Sequence, residues 1–177
     1  YKEKNNNLQK KILNDKREFI LFYPRFGDWS YSCTKSRRNM SFKVANTLLQ
    51  IINRSFNIIM LGNTKKYFIH NFGNLYSFEE LTKAGKPPQE IYSESKFIIG
   101  SISGATHFPS LLYDLPTLYF GDLPIDHILA IYNMVNSRTK RILEIPRKDR
   151  WILIDFELQD LIQLKFWESI LNNFLFK

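Results

Sequence analysis

This 177-residue sequence has little cysteine or histidine, one Cys and three His, and no apolar run in it approaches membrane-spanning length. One thiol, Cys33, can close no internal disulfide and build no cysteine metal site, which points to a reduced, cytoplasmic protein. The sequons at Asn39-Met40-Ser41 and Asn53-Arg54-Ser55 then carry no meaning, because glycosylation acceptors matter only on secreted chains. His70 and His127 have no acidic or histidine neighbour at metal-ligand spacing, so no metal site and no cofactor is expected. Crossing a bilayer takes about 20 consecutive apolar residues, and the longest runs here are far shorter. Nothing near the start reads as a signal peptide, and Tyr1 in place of Met suggests a fragment whose upstream half is missing. No internal repeat is visible.

What is present is ordinary for a soluble domain: 44% hydrophobic and 24% charged residues, in a chain long enough for one sizeable core. The charge is less ordinary. A net +8 favours anionic partners, whether nucleic acid, phosphorylated small molecules or an anionic membrane face. The basic residues come in short groups (Lys10-Lys11, Lys35 to Arg38, Lys65-Lys66, Arg147 to Arg150), and no zinc-finger, KH or RNP-like signature accompanies them. Nucleic acid is therefore not expected as a partner. An anionic membrane surface is compatible, with the basic groups and the last helix resting on it.

Residues 1–16 are polar, with Asn5 to Asn7 a low-complexity patch, and read as a linker or frayed helix. Residues 17–177 read as one domain. Apolar runs predict strands at 18–23, 57–61, 97–99, 117–120 and 150–155, with a shorter one at 67–70. Helical spacing predicts a helix at 41–53, capped by Asn39 or Ser41, that buries Phe42, Ala45, Leu48, Leu49 and Ile52. Further helices are expected at 78–84, from Pro87-Pro88 to 93, at about 105–114, at 125–135, and finally at about 160–175. Pro109 stands where a helix begun at Gly104 would be in its second turn, which predicts a later start near Thr106 or a kink. Strands alternating with helices predict an α/β fold of Rossmann-like kind, an open, mainly parallel sheet with helices on both faces.

In such a sheet ligands bind outside the carboxyl ends of the strands. Two features fall there. Gly100-Ser101-Ile102-Ser103-Gly104 joins a strand to a helix. Glycine lets backbone amides approach a ligand, serine can donate, and a helix start offers unpaired N–H groups. A phosphate is the natural occupant, although tight turns use the same residues merely to fit. The second feature is Arg25, between Pro24 and Gly27 just past the first strand, whose planar fork of donors suits phosphate. Arg37 and Arg38 end the same loop, where they assist or are simply solvated. His107, one turn into the helix, faces a ligand or is a half-buried residue without a role. Asp28 and Asp114 are the carboxylates near this face, and neither reads as a catalytic base.

The stretch YSESKFIIGSISGATHFPSLLYDLPTLYFG (92–121) resembles the nucleotide-sugar-binding half of GT-B glycosyltransferases. The likeness is nearest to heptosyltransferase-like and related bacterial surface-polysaccharide enzymes. It rests on the strand at 97–100, Ser103-Gly104, His107 near the helix start, and Leu115-Pro116-Thr117. ILFYPRFGDW and the helix and strand that follow it resemble the first strand, arginine loop, helix and second strand of that half, so the likeness covers about residues 18–121. It implies a metal-independent transfer of a sugar from a nucleoside diphosphate sugar to a glycan or lipid-linked acceptor. Arg25, Ser101, Ser103 and Gly104 would hold the donor diphosphate, and Gly100, Ala105, Thr106 and His107 would be further donor contacts. The catalytic base would come from the absent half. A non-catalytic sugar- or nucleotide-binding module of the same fold is the alternative.

Overall fold

The computed structural model describes residues 15–26, 39–62, 68, 72–101, 103–120, 150–152 and 163–175. The expected helix at 125–135 lies outside these, as do residues 1–14, Gly27, Asp28, Cys33, Arg37, Arg38, His70 and His127. Six strands form one sheet: β1 (Phe19–Tyr23), β2 (Asn57–Met60), β3 (Leu75–Ser77), β4 (Ser95–Ser101), β5 (Thr117–Phe120) and β6 (Arg150–Ile152). All neighbouring pairs are parallel, and the order is β3-β2-β1-β4-β5-β6. The chain fills one side of the sheet outward from β1, then returns to place β4 on β1's other side. This is the doubly wound order of a Rossmann fold, with its switch point between β1 and β4.

Parallel strands are covered on both faces, which is why FILFY and NIIM run apolar without alternation. Ile20 and Phe22 pack into one core cluster and Leu21 into the other. The first cluster is completed by α1 (Phe42–Ile52) and α5 (Leu164–Leu175), the second by α2 (Phe78–Lys83) and α3 (Pro88–Ser93). Helix α4 (Gly104–Tyr113) follows β4 and adds Tyr113 at the edge of the second cluster.

Ser41 caps α1, its hydroxyl accepting from the Val44 amide at 3.1 Å. The buried stripe is Val44, Ala45, Leu48, Leu49 and Ile52. Phe42, expected in that stripe, is instead 51% exposed and packs against Phe26 and Phe68. Leu164, at the start of the last helix, is likewise exposed, and Trp167 and Leu171 fill the core. The edge strand beside β2 is Leu75–Ser77. Three residues leading straight into a capped helix give no strand signal of their own. Asn74 pins the segment by donating to the carbonyl oxygens of Phe56 at 2.6 Å and Asn53 at 3.3 Å. In the strand expected at 67–70, only Phe68 is described.

Two boundaries near the candidate loop differ from expectation. β4 continues through Gly100 and Ser101, which pair with Tyr119 and Phe120 of β5. Helix α4 starts at Gly104 and keeps Pro109 inside it. Proline there removes one internal hydrogen bond, and the packing of the buried Pro109, Ser110 and Leu111 outweighs that loss.

Candidate functional site at the switch point

The carboxyl ends of β1 and β4 are neighbours in the centre of the sheet, with Tyr23 opposite Gly100 in register. The arginine turn and the Ser-Gly loop, remote in sequence, therefore meet there. The Arg25 backbone amide donates to the Ser101 hydroxyl at 3.0 Å. The Arg25 carbonyl accepts from the Met40 amide at 3.1 Å, which brings the start of α1 to the same place. Among the described residues no ion pair engages the Arg25 guanidinium. Two helices thus begin beside the switch point, and neither carries an acidic residue in its first turn. The partial positive charge of two helix starts makes this edge of the sheet electropositive. By contrast, the first turn of α2 holds Glu79 and Glu80, and that of α3 holds Glu90.

The loop residues divide into supports and surface. Gly100 is a point of close contact: a Cβ there would stand 2.9 Å from the Tyr23 carbonyl oxygen, Tyr23 Cβ and Thr106 Cγ2. Ser101 is fully buried, and its hydroxyl is occupied by Arg25. Thr106 is also buried. Its hydroxyl accepts from the Ser103 amide at 3.2 Å and lies 2.9 Å from both the Ser101 and Ser103 carbonyl oxygens, either of which can take its proton. His107 is fully buried too, with Nδ1 3.1 Å from the Tyr119 hydroxyl and the two rings 4.7 Å apart. Gly100, Ser101, Thr106 and His107, expected to touch the ligand, thus lie beneath the loop, and the polar atoms just named bond to protein.

Gly104 and Ala105 form the part that meets solvent, while Ser103 is half-buried with its hydroxyl inside. The Thr106 and His107 amides turn back onto the Ser103 carbonyl at 3.1 and 2.9 Å. Among the described residues no acceptor takes the Gly104 and Ala105 amides, which leaves them for a ligand or water. The Ser103 hydroxyl lies over the Thr106 amide without a hydrogen bond of normal geometry. Asp114 is excluded from this face. It ends α4 in the left-handed conformation, φ 50°, at the opposite edge of the sheet, since a helix following a strand runs back antiparallel to it. Among the described residues no group of three or more His, Cys, Asp or Glu side chains is placed to hold a metal ion, and no helix is long and apolar enough to cross a membrane.

No protein-family model matches this chain, and no curated protein does. Among solved structures it is similar to three of the wall teichoic acid polymerase TagF: one of TagF itself, one of a histidine-to-alanine variant, and one of a histidine-to-asparagine variant soaked with CDPG. In that order the identities are 13%, 13% and 11%, with TM-scores of 0.40, 0.43 and 0.44. Each match covers 98% of this chain and 42% of the TagF chain, so the chain spans less than half the length of these proteins. All three bear the name of a wall teichoic acid polymerase and none that of a heptosyltransferase.

Proposed function

We propose that this domain binds the diphosphate of a nucleoside diphosphate sugar at the crevice between β1 and β4. It would act as the donor-binding part of a metal-independent glycosyltransferase that passes the sugar to a glycan or lipid-linked acceptor. The observation that carries the reading is the 3.0 Å bond from the Arg25 amide to Ser101, which fixes a guanidinium-bearing turn against the end of β4 at the switch point. A diphosphate needs several donors and positive charge held in place before it arrives. Arg25 supplies a planar cation, and the Gly104 and Ala105 amides supply donors at a helix start.

The chemistry follows from charge. As the bond from the anomeric carbon to the diphosphate oxygen breaks, negative charge grows on the departing phosphate. Donors already aimed at that place stabilise it without reorganising. Arg25 and the start of α4 fill the role that a divalent cation plays in other transferases. The base that activates the acceptor is assigned to no residue of this chain.

The test is calorimetric titration of the full chain with inorganic pyrophosphate and with UDP, GDP, ADP and CDP. Binding is expected for at least one diphosphate, weakened about tenfold or more in Arg25→Ala, the effect of losing a charge-assisted hydrogen bond of ~1.5–3 kcal/mol. Absence of binding to all five at millimolar concentration would overturn the reading.

A further inference from the structure

Phe42 is the largest departure between the apolar pattern and the core, since a residue spaced for burial stands 51% exposed. It is not loose. Its ring stacks on Phe68, centroids 5.1 Å apart and planes 2° apart, and Phe68 is itself 1% exposed. Phe26 closes the group, 6.1 Å from Phe42 and 5.8 Å from Phe68. The result is an aromatic ring, backed by a buried ring, held in one plane with part of its surface in water. Its position follows from two connections. Phe26 is the next residue after Arg25, and Phe42 lies two residues beyond Met40, whose amide is bonded to the Arg25 carbonyl. The exposed ring and the proposed phosphate clamp therefore share one backbone junction at the carboxyl edge of the sheet.

We infer that the Phe42 ring, seated on Phe68 and Phe26, is the stacking platform for the nucleobase of the bound nucleoside diphosphate, an inference that rests on the diphosphate reading above. A flat apolar face that shares a backbone junction with an arginine turn suits a ligand that is flat at one end and anionic at the other. Every base offers a π-face, so the platform supplies affinity for the nucleoside part without choosing the base.

Calorimetry on the full chain separates the two ends of the ligand. For whichever of UDP, GDP, ADP and CDP binds, Phe42→Ala and Phe42→Leu are expected to weaken binding about five- to a hundredfold, the usual effect of removing an aromatic under a base. Phe42→Tyr, which keeps the ring, is expected to retain wild-type affinity. Inorganic pyrophosphate should bind all three variants as it binds wild type, and its affinity should fall only in Arg25→Ala. Thermal midpoints confirm that each variant is folded. Equal loss of nucleotide and pyrophosphate in Phe42→Ala would overturn the inference, as would no loss of either. So would a wild type that binds pyrophosphate as tightly as any nucleoside diphosphate, a result that leaves the phosphate clamp standing. No binding of anything would remove both readings together.

Discussion

The Arg25 amide and the Ser101 hydroxyl are 3.0 Å apart, joining the end of β1 to the end of β4 across 76 residues of sequence. Ser101 is fully buried, so its hydroxyl is replaced by nothing when it is removed. Ser101→Ala should leave the Arg25 N–H without its acceptor and destabilise by about 1–3 kcal/mol. Urea denaturation would read this as a lower midpoint at unchanged slope. Pyrophosphate affinity of the folded variant should also fall, because the turn that presents the guanidinium has lost its anchor. A midpoint equal to wild type would mean the bond is incidental.

Two glycines in the same loop separate packing from ligand access. At Gly100 a methyl group would meet Tyr23 backbone and Thr106 at 2.9 Å, and backbone cannot swing aside. Gly100→Ala should cost about 1–3 kcal/mol, the usual penalty of overpacking. At Gly104 the nearest atoms are the Phe108 ring at 3.4 and 3.5 Å, an ordinary contact. Alanine is the better helix former, so Gly104→Ala should be neutral or stabilising by up to ~1 kcal/mol. If a phosphate lies against the Gly104 amide, the same change should nevertheless weaken pyrophosphate binding. A variant that is more stable and binds less well is the signature of a glycine kept for ligand approach. Unchanged binding would remove Gly104 from the site.

The main parallel strands were legible because burial on both faces makes them continuous apolar runs, as in FILFY and NIIM. The capping of α1 by Ser41 was legible for a local reason, a side chain three residues from the amide it satisfies. Depth was not legible. Ser101, Thr106 and His107 carry polar groups that suit a ligand equally well and a packed turn equally well. Only the pairing of β1 with β4, and the meeting of α4 with β5, decide that Ser101 faces Arg25 and His107 faces Tyr119. β3 was missed because it is made by tertiary contacts, the parallel pairing with β2 and the Asn74 side chain, and not by its own three residues. Phe42 was misplaced for a complementary reason: helical spacing gives its face but not its partners, which are Phe26 and Phe68 from segments remote in sequence.

At the amino edge of the sheet, Arg17 wraps the Asp15 carboxylate. Arg17 Nη2 lies 2.5 Å from Oδ2, Nε lies 3.0 and 3.2 Å from the two oxygens, and the Arg17 amide donates to Oδ1 at 3.0 Å. The Arg17 carbonyl in turn accepts from the Asn57 side chain at 3.0 Å, tying the clasp to β2. The side-chain bonds from Arg17, then its backbone amide, hold the Asp15 carboxyl well below its ordinary value of 3.8. A lowered carboxyl contributes stability that is fully present above the unfolded value and is lost as pH falls towards the folded one. The unfolded chain takes up a proton where the folded chain resists it. Both side chains keep contact with water, 17% exposed for Asp15 and 40% for Arg17, so solvent screens the pair. Asp15→Asn should therefore cost no more than about 0.2–1 kcal/mol at neutral pH. The gap between wild type and variant should hold down to roughly pH 5 and narrow from about pH 4 downward, as the wild type loses what the variant never had. Paired urea titrations at neutral and acid pH measure it, and a gap that stays constant or widens on acidification would show that the clasp acts through shape rather than charge.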